Sequence, residues 1–399
     1  MPKQQPTVLD LFCGAGGLSL GFHYAGFQTK VAIDHDSDAI ESVEANFSHT
    51  GTIALLENLA EFPPSSLKSL LSENSGEEID VIIGGPPCQG WSKVGRGKLR
   101  NLTEASGRKY TGRDPRNKMF HVFMDYVREF RPKAALMENV PGMLSHNGKN
   151  VAESVAHELR AAGYVVSWQL LNAVNFGVPQ MRERLIFVGI RDDLRTSFTF
   201  PAYKDIRPQI VTVKEAIGDL PPIRNGSLEW IRDYRPRREL SSYAKRMREG
   251  ADPATVFDHV CRNYPQDLEA FKLLKQGGWY RDLPERLQRY RTDIFQDKYK
   301  KLYWNKPSWC VTAHLSKDCY THIHPSQART ISIREAARLQ SFPDCFYLAG
   351  NMGTKFRLIG NAVPPLMAEG IARELYKQVF SSRRTHSKGS ANRKSEVVL

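Results

Sequence analysis

Short β-branched runs alternate with amphipathic stretches along the first half of the chain, predicting a β-α-β-α-β order. Val8-Leu9-Asp10-Leu11-Phe12 reads as a first strand, Val31-Ala32-Ile33 as a second and Ile79-Asp80-Val81-Ile82-Ile83 as a third. Ser65 to Gly76, before that third strand, is polar and reads as a connection. Phe120, Phe123, Met124 and Val127 recur at helical spacing, which predicts a helix running to Phe130. Further strands are predicted at Ala134 to Met137, Tyr164 to Leu171 and Leu185 to Ile190, with a helix over Val151 to Ala162. Apolar strands alternating with helices point to an α/β fold, with a mostly parallel, Rossmann-like sheet.

Glycine and proline punctuate this pattern where ligands bind in such sheets. Cys13-Gly14-Ala15-Gly16-Gly17 follows the first strand, and a helix opens at Leu18. Such a turn permits close backbone approach, and the helix start offers free N–H groups. Asp34 ends the second strand, where a carboxylate can accept hydrogen bonds from ribose hydroxyls. His35 beside it is either a ring for adenine to stack on or a surface histidine. At the third strand's end, Gly84-Gly85-Pro86-Pro87 turns and stiffens the chain, holding Cys88 at the carboxyl edge of the sheet. A cysteine there is a candidate nucleophile, although free cysteines more commonly serve as small buried hydrophobes. Glu138 ends the next strand, on the same edge as Cys88 if the two strands are neighbours. Alternation places Gln180, Arg182 and Arg184 on one face, which is equally the pattern of a solvated strand face.

Charge adds a partner. The 399 residues carry a formal net charge of +13, unevenly placed. Lys93 to Lys118 holds nine basic residues against two acidic, and Arg224 to Lys306 nineteen against twelve. Basic segments on a weakly acidic body suggest a polyanion bound on one face, with nucleic acid favoured. Lys93 to Arg113 is glycine-rich without apolar period and reads as a mobile loop directly after Cys88. Six irregularly spaced cysteines predict no disulfide framework, and no apolar run is long enough for a membrane span. Met1 to Gln5 leads straight into a strand, so no signal peptide is expected. Cys310, His314, Cys319, His322 and His324 match no familiar zinc spacing, and no metal is expected.

Taken in order, the motifs resemble those of the DNA (cytosine-5-)methyltransferases. They are Asp10-Leu11-Phe12-x-Gly14-x-Gly16-Gly17, Gly85-Pro86-Pro87-Cys88-Gln89, Asp114-x-Arg116-Asn117-x-x-Phe120, Glu138-Asn139-Val140 and Gln180-x-Arg182-x-Arg184. Arg329 to Glu335, Gln340 to Asp344 and Gly360-Asn361-Ala362-Val363-Pro364-Pro365 complete the set. The resemblance runs from about Thr7 to Leu375, with a poorly matching middle. It implies S-adenosyl-L-methionine as cofactor, held by Phe12, Gly14, Gly16, Gly17, Leu18, Asp34, His35, Asn58, Leu59, Pro86, Asn361 and Val363. Two positions depart from the family pattern. Asp34 stands where the family usually has Glu, and Asn58 where it usually has Asp for the adenine amino group.

The resemblance further implies Cys88 as nucleophile, a protonated Glu138 as donor to ring nitrogen 3, and Arg184 on the base carbonyl with Arg182 supporting. Gln89, Ser92, Arg96, Lys98 and Arg100 are expected to contact DNA. Residues 1–190 and 309–380 would form the catalytic domain, 191–308 a target recognition domain and 381–399 a disordered basic tail. The expected protein is a monomeric, cytoplasmic and nucleoid-associated modification enzyme of bacterial or phage type, acting on double-stranded DNA. A separately acting cognate endonuclease would complete a restriction-modification system. An RNA cytosine methyltransferase of the same family is the nearest rival reading. A nicotinamide oxidoreductase would need the glycine turn but not the other motifs, and a non-catalytic DNA-binding relic would tolerate loss of Cys88, Glu138 or Arg184.

Overall fold

A computed structural model of the chain describes residues 5–74, 78–87, 119–144, 151–201, 210–235, 239–290 and 298–381. Its centre is a seven-stranded sheet in the order β3-β2-β1-β4-β5-β7-β6. The strands are β1 (Thr7–Leu11), β2 (Gln28–Asp34), β3 (Ile53–Leu56), β4 (Val81–Gly84), β5 (Ala134–Asn139), β6 (Tyr164–Asn172) and β7 (Glu183–Arg191). β1 to β5 run parallel, and β7 is antiparallel to both β5 and β6. The central β1, β4 and β5 are buried along their whole length, as strands covered on both faces must be. Val8 and Ile83 join one apolar cluster and Leu9, Leu11 and Ile82 the other, so side-chain alternation divides the two helical layers.

The helices follow from local signals. α1 (Gly17–Tyr24) opens directly from the glycine turn, and α2 (Ser37–Phe47) is capped by the Asp36 carboxylate accepting from the Asp38 N–H at 3.1 Å. The stretch expected to be a polar connection is instead α3 (Pro64–Asn74). Its sequence is serine-rich, and Leu67 and Leu71, four residues apart, suffice to bury its inner side. α4 (Met119–Phe130) buries Phe120, Phe123, Met124 and Val127, the predicted face. α5 (Val151–Ala161) precedes β6.

After β7 come the short helices α6 (Val213–Ile217), α7 (Ser242–Arg248) and α8 (Leu268–Leu273), with a two-stranded antiparallel ladder of β8 (Ile231–Asp233) and β9 (Thr255–Phe257). Most aromatic residues of this region are core: Tyr234, Tyr243 and Tyr280 are buried, whereas Trp230 is 41% exposed. Tyr243, Met247 and Val256 pack with the main core. Phe271, Tyr280, Tyr299 and Tyr320 form a separate cluster that continues past residue 308. The chain then returns through α9 (Ile333–Leu339), α10 (Met352–Asn361) and α11 (Pro365–Leu375). α11 lies against α1, so tightly that a Cβ on Gly21 would stand 2.6 Å from the Pro365 carbonyl oxygen.

Candidate active site at the carboxyl edge of the sheet

The strand order reverses between β1 and β4, and the crevice at their carboxyl ends is where open α/β sheets bind ligands. The chain leaves β1 with Phe12 in the left-handed region at φ 58°, followed by Gly14 at φ 53° and Gly16 at φ 82°. A bulky residue in that region is strained and persists only where its surroundings hold it. They do so here through backbone bonds from Cys13 N to the Ile33 oxygen (3.0 Å) and Gly16 N to the Cys13 oxygen (2.9 Å). Gly16 caps α1 without a side-chain hydrogen bond, and a Cβ at Gly14 would meet nothing within 4 Å. Open space beside a helix amino end suits an anionic or polar ligand group.

Asp34 ties this turn to β2. Its Oδ2 accepts from Gly14 N at 2.9 Å, and its Oδ1 from Asp36 N at 3.1 Å. Each oxygen keeps a lone pair, so a ribose contact remains open, but the carboxylate also builds the turn. His35 is largely exposed, with Nδ1 3.1 Å from Asp34 Oδ1. Asn58 is exposed as well. Its Oδ1 accepts from Ala60 N at 3.1 Å, and its Nδ2 donates to Glu61 Oε1 at 2.8 Å. Leu18 and Leu59 are buried, which leaves backbone atoms as their means of touching a ligand. Gly17 admits the Asn361–Val363 segment, since a Cβ there would lie 2.4 Å from the Val363 oxygen.

Asp10 lies beneath the turn; it opens the first motif but was given no site role in the sequence. It is fully buried, with Oδ2 accepting from Ser19 Oγ at 2.7 Å. Its Oδ1 has no hydrogen-bond partner among the described residues. Burial, with a smaller push from the Asp34 charge, raises the Asp10 pKa from 3.8 to about 7, against the lowering bond from Ser19. The raised value means that folding takes up a proton. The associated stability is fully present below about pH 4 and is lost as pH rises through about 7. Asp10→Asn mimics the neutral acid, so its stability relative to wild type should climb by roughly 2–4 kcal/mol from pH 4 to pH 8. Urea unfolding at several pH values measures this, and a pH-independent difference would show Asp10 ionised throughout.

β4 ends at Gly84, whose missing Cβ would lie 2.4 Å from the Leu11 oxygen. Gly85 follows against Glu138, its Cβ position 3.1 Å from Glu138 Oε2. Pro86 is buried, and its carbonyl accepts from Asn139 Nδ2 at 3.3 Å. Pro87 ends this described stretch; Cys88, Gln89, Ser92, Arg96, Lys98 and Arg100 lie outside the described residues, as do Asp114, Arg116, Asn117 and residues 382–399. Glu138, nearly buried at the end of β5, has Oε1 2.6 Å from Arg184 Nε. The antiparallel entry of β7 makes this possible, because Ile186 pairs with Glu138 and brings Arg184 to the same edge.

Gln180 and Arg182 are not a solvated face; both are fully buried. Arg182 donates to the backbone oxygens of Val311 (2.6 Å), Gly360 (3.0 Å) and Ala362 (2.9 Å), and its Nη1 is 3.4 Å from Cys310 Sγ. Arg182 therefore holds backbone, and Arg184 is the arginine beside Glu138. Asn172 and Gln340 also belong to this surround; Asn172 carried no distinctive sequence signal, and Gln340 was part of a family motif without a site role. Among the described residues no group of three His, Cys, Asp or Glu side chains could hold a metal ion. His324 Nδ1 accepts from the Ser326 and Gln327 N–H groups, and His322 Nε2 lies 3.3 Å from the Trp309 oxygen. Burial pushes these imidazoles down to about 3 and about 4, respectively.

Comparison with known proteins agrees with this architecture. The family model for C-5 cytosine-specific DNA methylases matches residues 6–377. The type II methyltransferase M.DdeI of Desulfomicrobium norvegicum is 34% identical, the match covering 92% of this chain and 88% of that protein. The type II methyltransferase M1.HphI of Haemophilus parahaemolyticus is 33% identical, over 93% of this chain and 87% of that one. A prophage-encoded Escherichia coli structure described as a DNA modification methyltransferase superposes with a TM-score of 0.72 at 27% identity, covering 94% of this chain and 99% of that chain. The Schizosaccharomyces pombe Dnmt2 methyltransferase, at 15% identity and a TM-score of 0.56 over 94% of this chain and 98% of that one, shares the fold. With a Rossmann-like methyltransferase sheet and a family match over nearly its whole length, the chain belongs to the C-5 cytosine-specific DNA methylases.

Proposed function

We propose that the protein transfers a methyl group from S-adenosyl-L-methionine to carbon 5 of a flipped-out cytosine within a specific double-stranded DNA sequence, through a covalent Cys88 adduct. The observation that carries this reading is the meeting of three strand ends: the Phe12–Gly17 turn, the Gly84–Pro87 turn leading to Cys88, and Glu138 against Arg184. The open space at Gly14, the uncapped start of α1 and the exposed His35 ring beside Asp34 fit an adenosyl amino acid. Phe12, Gly14, Gly16, Gly17, Asp34, His35, Asn361 and Val363 would hold it, with Leu18, Asn58, Leu59 and Pro86 completing the wall. Bound there, this cofactor supplies an electrophilic methyl group.

Carbon 5 of cytosine is a weak nucleophile, and a thiolate adding at carbon 6 turns it into an enamine-like carbon. Cys88 performs the addition. The electron density that moves into the ring is met at nitrogen 3 by a proton on Glu138, while Arg184 binds the carbonyl oxygen at position 2. After methylation, loss of the carbon 5 proton restores the double bond and expels the Cys88 thiolate. A duplex hides the base from these groups, so the nucleotide must leave the stack at a cost of about a few kcal/mol. Arg96, Lys98 and Arg100, which follow Cys88 in the chain, would with Gln89 and Ser92 touch DNA around it, and residues 191–308 would read the flanking sequence. The printed names of the relatives favour a type II modification role, with any endonuclease acting separately.

Two linked experiments test the reading. Bisulfite sequencing of DNA from cells expressing the protein should show one methylated sequence. Duplex carrying 5-fluorocytosine in that sequence should then give, with cofactor, a denaturant-resistant complex that Cys88→Ala abolishes. Fluorine replaces the proton that must depart, so the adduct cannot resolve. Adduct formation on RNA alone would replace the DNA reading by the RNA one, and an adduct surviving Cys88→Ala would remove Cys88 from the role.

A further inference from the structure

We infer that Arg182 is a positioning residue that couples the cofactor subsite to the target-base subsite, so that each ligand tightens the other. The inference rests on the proposed reaction. Its basis is that one buried guanidinium bonds the segment on the cofactor side, while its own backbone leads within two residues to Arg184 beside Glu138. Nη2 bonds the Gly360 and Ala362 oxygens, in the segment that packs on the cofactor turn through Val363 and Gly17. Nη1 bonds the Val311 oxygen, and two residues farther along the chain, at the start of β7, Arg184 meets Glu138.

Neighbouring amides make this connection stiff. Gln340 Nε2 donates to the same Ala362 oxygen at 2.7 Å and to the Ile359 oxygen at 2.9 Å. Gln180 Nε2 donates to Gln340 Oε1 at 2.6 Å, and Gln180 Oε1 accepts from Val311 N at 2.8 Å. A Cβ on Gly360 would lie 2.2 Å from the Thr312 carbonyl carbon, so residues 311–313 and 360 are in direct backbone contact. Arg182 and Gln340 thus hold one carbonyl between them, with little room for residues 360–363 to shift alone. Burial, aided by the Arg184 charge, lowers the Arg182 pKa only to about 10, so the guanidinium stays charged near neutrality. Charge-assisted bonds to carbonyls are stronger than neutral ones and demand Arg geometry, since Lys cannot reach three oxygens through a planar fork.

Coupling between two ligands is a reciprocal free energy, commonly equivalent to 5–150-fold in affinity. The test measures binding of the bisulfite-identified duplex with and without saturating S-adenosylhomocysteine, which cannot donate a methyl group. Wild type should bind the duplex roughly 5-fold or more tightly with S-adenosylhomocysteine present. Arg182→Lys and the milder Gln340→Met should each bring this ratio toward 1, with each ligand alone bound within a few-fold of wild type. A merely structural role would lower the thermal transition and both separate affinities while leaving the ratio intact, and that result overturns the inference. So does a wild-type ratio of 1. Failure of wild type to bind either ligand would instead overturn the proposed reaction, which keeps the two failures distinguishable.

Discussion

Glu138→Gln is expected to lower the single-turnover methylation rate by about 10²- to 10⁴-fold, the range for losing a positioned general acid. Glutamine fills the same volume at the end of β5 and keeps an oxygen beside Arg184, whose Nε is 2.6 Å from Glu138 Oε1. What it lacks is a proton to give to ring nitrogen 3 as density enters the base. Cofactor affinity should stay near wild type, because Glu138 is not among the residues assigned to the cofactor, which lie after β1 to β4 and in the Asn361–Val363 segment. Rapid-quench measurement with tritiated cofactor, paired with calorimetry on S-adenosylhomocysteine, separates chemistry from binding. A loss below about tenfold would mean that the Glu138 carboxyl serves as a hydrogen-bonding wall and the proton comes from elsewhere.

Much of this edge was readable in the sequence because its signals are local. β1, β4 and β5 are buried on both faces, so their apolar runs stand out, and the glycines and prolines after β1 and β4 sit where the chain must turn. β3 was missed because it is a short edge strand with only partly buried residues. α3 was missed because its serines hide the Leu67–Leu71 repeat. Arg182 shows the deeper limit. Its acceptors are backbone oxygens at Val311, Gly360 and Ala362, lying 129, 178 and 180 residues away. Any residue type presents a carbonyl, so nothing in those positions marks them as partners. Alternation alone therefore left Gln180, Arg182 and Arg184 equally readable as a solvated face, and the family motif was what singled them out. Asp10 was hidden for the converse reason: one carboxylate within an apolar run does not reveal that it has Ser19 for a partner.

The same blindness to distant partners covers the largest stability effect expected here, at Arg338 of α9. Its side chain is fully buried, with Nε 2.8 Å from Asp344 Oδ1, Nη2 2.6 Å from Asp344 Oδ2 and Nη1 2.5 Å from Asp219 Oδ1. Arg248 from α7 bonds Asp219, and the Tyr234 hydroxyl donates to Asp344, so this cluster fastens the region after β7 to the returning helices. Burial opposes the charged Asp344, but the Arg338 guanidinium overcomes it and holds the carboxyl below its usual range. Arg338→Met keeps the volume and strands the buried Asp344 carboxylate, leaving Asp219 with Arg248 as its remaining cation, a change that costs about 3–5 kcal/mol. Because the depressed Asp344 value is a native-state property, its stabilisation is present above about pH 4 and disappears as pH falls through the folded value. The deficit of Arg338→Met should therefore be widest at neutral pH and narrow toward pH 4, as the stranded Asp344 carboxylate takes up a proton. Adding Asp219→Asn and Asp344→Asn should recover part of it, since neutral amides need no counter-charge. Urea midpoints at pH 7 and pH 4.5 for the single and triple variants test both statements. A single-variant deficit that is the same at both pH values would show that packing, not the stranded charge, sets the loss.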